Sequence, residues 1–67
     1  MSAWLDRVFD AQIVGKHGIV RRKKADVHYY ASFHELLAEV RERGYHLVET
    51  GDQYVVICNF GALKLHC

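Results

Sequence analysis

The chain contains no proline, no internal repeat and no low-complexity tract, so nothing in its 67 residues reads as a linker or a domain boundary. One small domain over residues 1–67 is expected. Long hydrophobic runs are also missing: no stretch approaches the ~20 apolar residues of a membrane-spanning helix, and no membrane partner is expected. The start of the chain does not read as a secretory signal, because Asp6 and Asp10 interrupt it and no basic stretch precedes an apolar one. Cysteine is scarce, with two residues, and without a secretory signal the pair points to reduced thiols and a cytoplasmic setting. Charge of one sign is not in excess either; the formal net charge is +1 at pH 7.

What is present is hydrophobic surface and an uneven distribution of charge. Hydrophobic residues make up 51% of the chain, a high share for so small a soluble monomer. A domain of this size buries only about 60% of the surface its unfolded chain exposes. Monomers seldom leave a large apolar patch open, so self-association as a homodimer is expected. Lys16, Arg21, Arg22, Lys23 and Lys24 place five cations within nine residues, while the remainder holds four basic and eight acidic residues.

The second half of the chain is the more clearly patterned. Ser32-Phe33-His34-Glu35 fits a capping box, in which the serine hydroxyl accepts from the Glu35 amide. Phe33, Leu36, Leu37 and Val40 follow as a helical apolar stripe. Glu35, Glu39 and Arg43 fall on what should be its wet side, with Glu39–Arg43 pairing at i, i+4. Gly44 is placed to end this helix in a left-handed turn. Three strands are predicted next, over 45–50, 53–59 and 62–67. Gly51-Asp52 forms the first turn, with glycine supplying a positive φ, and Asn59-Phe60-Gly61 forms the second.

A two-residue loop at that second turn gives one register, and a type I turn with a Gly61 bulge flips the last strand. In the first register Tyr45, Leu47, Tyr54, Val56, Cys58, Leu63, Leu65 and Cys67 share a core face. The opposite face then carries His46, Val48, Val55, Ile57, Lys64 and His66. Its strip of Val48, Val55 and Ile57 is more apolar than a solvent face of an antiparallel sheet normally is. Either the N-terminal helix or a second copy of the chain is needed to cover it.

The first half is less determined. Ser2 can cap a short helix over 3–11 that shares a face among Trp4, Leu5, Val8 and Phe9. Gly15-Lys16-His17-Gly18 reads as a turn; it resembles the GXXG clamp of KH domains, although the residues after it look extended rather than helical. Residues 19–30 have no continuous apolar helical face. An edge strand is favoured for their first half, because edge strands tolerate lysine.

No catalytic constellation emerges. Ser2 and Ser32 are explained as helix caps, and no phosphate-binding glycine loop has its strand–turn–helix context. Five histidines and two cysteines invite a metal reading, but the closely spaced ligand pairs of structural zinc are missing. His66 and Cys67 are adjacent in a predicted strand and so point to opposite faces. No metal or other cofactor is expected. A small hydrolase or metal-binding protein using His46, Cys58, His66 or Cys67 is the third-ranked reading.

The segment from Leu36 to the end, a helix closed by Gly44-Tyr45 and then three strands, resembles the αβββ portion of dsRBD-like domains, including the small HicA-type RNA-cleaving toxins. The resemblance covers about half of the chain and implies RNA binding. Those toxins carry a histidine on the second strand, where this chain reads Gly51-Asp52-Gln53-Tyr54.

The expected architecture is α+β: an N-terminal helix, a basic extended segment, and a central helix on a three- or four-stranded antiparallel meander. The leading function is a non-enzymatic, homodimeric interaction module that uses Val48, Val55, Ile57, His46, Lys64 and His66. The alternative is binding of nucleic acid, or of an acidic protein surface, through Lys16, Arg21, Arg22, Lys23 and Lys24. Tyr29 and Tyr30 would assist by stacking on bases.

Overall fold

The computed structural model describes residues 3–9 and 18–67. Its elements run α1 (Ala3–Val8), β1 (Ile19–Lys23), α2 (Lys24–Tyr30), α3 (Phe33–Arg43), β2 (His46–Glu49) and β3 (Gln53–Ile57). The three strands form one antiparallel sheet in the order β1-β3-β2. The α+β class, the N-terminal helix and the central helix are as the sequence pattern predicts. The turn Gly15-Lys16-His17-Gly18 falls, except for Gly18, outside the described residues, as does residue 2.

The central helix α3 forms for the reasons its sequence suggests. The Ser32 hydroxyl accepts from the Glu35 amide at 3.1 Å, satisfying one of the unpaired donors of the first turn. At the other end Gly44 adopts φ 73°, and the amides of Gly44 and Tyr45 donate to the carbonyls of Arg41 and Val40. Leu36 and Val40 are buried, and Phe33 packs against them from the first turn. Glu39 corrects the expected wet side, being only 5% exposed. The cause is α1, which lies beside α3 so that Leu5 joins Glu35, Ala38, Glu39 and Glu42 around one cleft. The Glu39 carboxylate is satisfied there by Arg43 Nε at 2.9 Å, and the Arg43 guanidinium stacks over the Phe9 ring at 4.7 Å.

The ambiguous segment resolves into two elements. Ile19–Lys23 is an edge strand as favoured, but Lys24–Tyr30 is helical. This seven-residue helix has no apolar stripe and no side-chain cap, so its own propensity does not hold it. Tertiary contacts do. Its Val27 is fully buried, its first amide (Lys24) donates to the Asp52 carbonyl at 2.9 Å, and His28 Nε2 shares a 2.9 Å hydrogen bond with the Tyr54 hydroxyl.

The largest difference from expectation lies in the sheet. Residues 62–67 are not a strand; they are exposed and join no ladder among the described residues. The edge of β3 that they would have occupied is taken by β1, whose ladder Ile19↔Ile57, Val20↔Val56, Arg21↔Val55, Arg22↔Tyr54, Lys23↔Gln53 continues through Cys58 N–H to the Gly18 carbonyl. A β3 edge can be filled once, and β1 brings Val20 into the core row beside Val56. The β2–β3 turn differs in detail as well. Gly51 does not adopt positive φ, and the turn is closed by Thr50, whose amide donates to the Gln53 carbonyl and whose hydroxyl accepts from the Gln53 amide.

The core is a single cluster on one face of the sheet: Leu5, Val8, Phe9, Val20, Val27, Leu36, Val40, Tyr54, Val56 and Cys58, with Tyr45 and Leu47 packed against it. At Gly44 an added Cβ would have a positive φ and would sit 3.3 Å from Phe60 Cδ1. We expect Gly44→Ala to cost at least about 1 kcal/mol in a urea titration. Ser32→Ala should cost about 1 kcal/mol by removal of the cap. A midpoint unchanged in both variants would contradict the capping geometry.

Candidate functional site: the open face of the sheet

Side chains along a strand alternate between faces, and residues paired across an antiparallel ladder share one. Since Val20, Tyr54 and Val56 point into the core, the other face is built from the intervening positions. Its rows are Ile19–Ile57–His46, Arg21–Val55–Val48 and Lys23–Gln53. None of these side chains belongs to the core cluster or to the hydrophobic residues packed against it. Ile19 is 54% exposed, while Val48, Val55 and Ile57 are half-buried. Leu5, Val8 and Phe9, the apolar side of α1, are all in the core on the far side of the sheet. Both sheet-covering helices and α1 therefore protect the same face, and the apolar strip anticipated from Val48, Val55 and Ile57 is lengthened by Ile19.

The rim of this face is polar. Arg21 and Lys23 are exposed, and neither side chain makes an ion pair among the described residues. His46 marks one corner, with Nε2 2.6 Å from the Gly61 carbonyl. A carbonyl oxygen can only accept, so Nε2 carries the proton in this contact. This bond brings the chain beyond β3 to the β2 side of the open face. Tyr45 and Phe60, with ring centroids 5.5 Å apart, brace the same crossing.

The basic run does not form one patch. Arg21 and Lys23 lie on the open face; Arg22 and Lys24 do not. Arg22 is half-buried, and its Nη1 donates to the Arg21 carbonyl at 2.6 Å. Lys24 Nζ pairs with Glu49 Oε2 at 2.7 Å and stands 5.5 Å from the Tyr54 ring centroid. That ion pair is partly exposed and contributes on the order of 0.2–1 kcal/mol, but it occupies the lysine. Tyr30 stacks on Trp4, with centroids 5.3 Å apart and planes 17° apart, and Tyr29 meets Tyr30 edge-on at 4.8 Å. Both tyrosines belong to α2 rather than to the sheet. Lys16 lies outside the described residues. Lys64 and His66 stand on the exposed tail, so neither is part of the face to which the strand reading assigned them.

The titratable groups offer little chemistry. Cys58 is fully buried on the core side; burial pushes its thiol up, and the Arg43 guanidinium opposes that shift without cancelling it. His28 and the buried Tyr54 satisfy one another, an arrangement sequence reasoning missed because it depends on α2 forming. Among the described residues no three His, Cys, Asp or Glu side chains stand together as metal ligands would. An open cleft of about 250 Å³ lies between Leu5 and the Glu35, Glu39 and Glu42 side of α3. Its most buried carboxylate, Glu39, is already paired with Arg43.

Comparison with models of known protein families, with curated proteins and with solved structures finds no match. No helix among the described residues is long and apolar enough to cross a membrane.

A protonated, buried Cys58 has two consequences. Ellman's reagent should modify the exposed Cys67 first and reach Cys58 only on unfolding. A folded-state thiol raised above its unfolded value contributes stability that is intact at neutral pH. That contribution falls as pH climbs above the ordinary thiol value of about 8.5, because the unfolded chain then loses its proton more readily. Denaturation at pH 7 and pH 9.5 should show this loss in the wild type and a smaller one in Cys58→Ala. Equal loss in the two proteins would reject the assignment.

Proposed function

We propose that the protein is a non-enzymatic interaction module that works as a homodimer, with the open sheet face as the surface that meets the second copy. The observation that supports this reading is the strip Ile19, Val48, Val55 and Ile57 on the face turned away from the helices among the described residues. An apolar centre with a charged and polar rim is the anatomy of a protein interface. Arg21, Lys23, Gln53 and His46 supply that rim. Two-fold association is the common solution for a small domain with one such face, because a self-complementary patch covers itself. The two free cysteines suit a reducing, cytoplasmic setting.

Sedimentation across a concentration series tests the dimer. Val55→Glu sharpens the test, since the new carboxylate would lie opposite Arg21 on β1 and leave the fold intact while placing charge in the apolar centre. The expected result is a dimer for the wild type and a dissociation constant at least tenfold weaker for the variant. A wild type that stays monomeric to millimolar concentration would overturn the reading.

A second reading is favoured by one observation: Arg21 and Lys23 are exposed cations on that same face and make no ion pair among the described residues. They suit phosphate contacts with nucleic acid. In a titration with mixed RNA and DNA at two salt concentrations, binding should weaken with salt and should fall in Arg21→Gln/Lys23→Gln. Absence of binding at low salt removes this reading.

A further inference from the structure

Among the described residues β1 is paired along one side only. The Gly18 carbonyl accepts from the Cys58 amide and the Lys24 amide donates to the Asp52 carbonyl, which fixes the phase of the ladder. Val20 and Arg22 therefore turn their backbone groups to β3, while those of Ile19, Arg21 and Lys23 point away from it. The sheet order β1-β3-β2 leaves that outer side without a neighbouring strand. The amides of Ile19, Arg21 and Lys23 meet no acceptor among the described residues. One outward carbonyl is served by the strand's own side chain, since Arg22 Nη1 donates to the Arg21 carbonyl at 2.6 Å. The side chains along this edge are also unengaged. Arg21 and Lys23 stand two residues apart on one face, exposed and without an ion pair among the described residues.

We infer that the outer edge of β1 takes up an extended, acidic segment of another protein as a fourth, antiparallel strand. Strand addition uses backbone groups for adhesion and alternate side chains for selection. At this edge the two coincide. Arg21 and Lys23 are the positions whose backbone groups face outward, so the residues that exchange hydrogen bonds with them also lie directly opposite them and share their face. Carboxylates at those two positions meet both cations. An apolar residue two positions further on meets Ile19, which is 54% exposed. The edge thus selects the pattern acid-x-acid-x-apolar. A second copy of the chain does not supply it. Pairing all of β1 with the β1 of another copy sets Arg21 against Arg21, and like charges directly opposite are destabilising. Residues 62–67 contain no acid and include Lys64. The described carboxylates lie on helices or in the turn at Asp52, apart from Glu49, which Lys24 holds. Phosphates would use the two cations but not the carbonyl acceptors that alternate with the amides, which a peptide backbone matches group for group. The inference does not require the dimer, because the contact is made at the strand edge.

The probe is a blocked heptapeptide, Thr-Glu-Val-Glu-Val-Ile-Thr, titrated into the isotope-labelled full-length chain and followed by NMR. The amides of Ile19, Arg21 and Lys23 should shift, and their hydrogen exchange should slow at least tenfold, while exchange at Val20 and Arg22 stays as in the free protein. N-methylation of the two glutamates removes the donors that face β1 and should weaken binding at least tenfold. N-methylation of the two valines, whose amides face away, should leave it unchanged. Lysine in place of both glutamates should abolish binding. Arg21→Gln/Lys23→Gln, with an unchanged circular dichroism spectrum, should bind the parent peptide at least tenfold more weakly. Absence of binding at millimolar peptide overturns the inference. So does equal binding by the two methylated peptides, which would show attraction of charge without strand addition, and so do shifts confined to residues outside β1. A single-stranded oligonucleotide that shifts Arg21 and Lys23 where the peptide does not overturns it in favour of nucleic acid.

Discussion

The pairing of β1 with β3 is the constraint on which the rest of the structure depends. It makes β3 the central strand, hydrogen-bonded on both sides, and aligns Val20, Val56 and Leu47 as one inward row. Without that row the helices would face a two-stranded hairpin, which is marginal by itself in water. The same pairing brings Gly18 to Cys58 and Lys24 to Asp52, so the ends of the ladder also anchor the entry to β1 and the start of α2. A short helix with no apolar stripe exists because that ladder places its Val27 and His28 over a finished core.

Filling one edge of β3 has a cost elsewhere. The final segment has strand-like alternation, yet its natural neighbour is already engaged. It leaves the sheet through the Asn59–Gly61 crossing, held by Gly61 N–H to Asn59 Oδ1 at 2.6 Å and by His46, and continues as an exposed tail. Among the described residues α1, α2 and α3 all lie on one side of the sheet, and none of them covers the other. The open face and the open tail are therefore two results of a single choice of strand order.

The charges show the same control by register. Four consecutive cations, Arg21 to Lys24, look like one electrostatic feature when the chain is laid out flat. The period of two sends Arg21 and Lys23 to the open face, while Arg22 and Lys24 bond to a backbone carbonyl and to Glu49. What remains for a partner is a rim of two cations beside an apolar strip, a different surface from a continuous basic band. Glu39 makes a related point: a residue at a helical position that reads as solvent-facing becomes buried when a second helix lies against it, and its i, i+4 partner then satisfies a carboxylate that would be costly to leave alone.

By itself the sequence determined what short-range chemistry controls: the α+β class, the capped and glycine-terminated α3, the edge strand with its lysines, and which side chains of β2 and β3 share a face. These follow from hydrogen bonds and periodicities within a dozen residues. Only the tertiary structure decided which segment pairs with β3, that Lys24–Tyr30 is helical, that Ile19 joins Val48, Val55 and Ile57, and that residues 62–67 stay out of the sheet. Two segments of strand-like pattern, 19–23 and 62–67, competed for one row of hydrogen bonds. In the structure 19–23 holds that row, a long-range outcome that no local pattern carries.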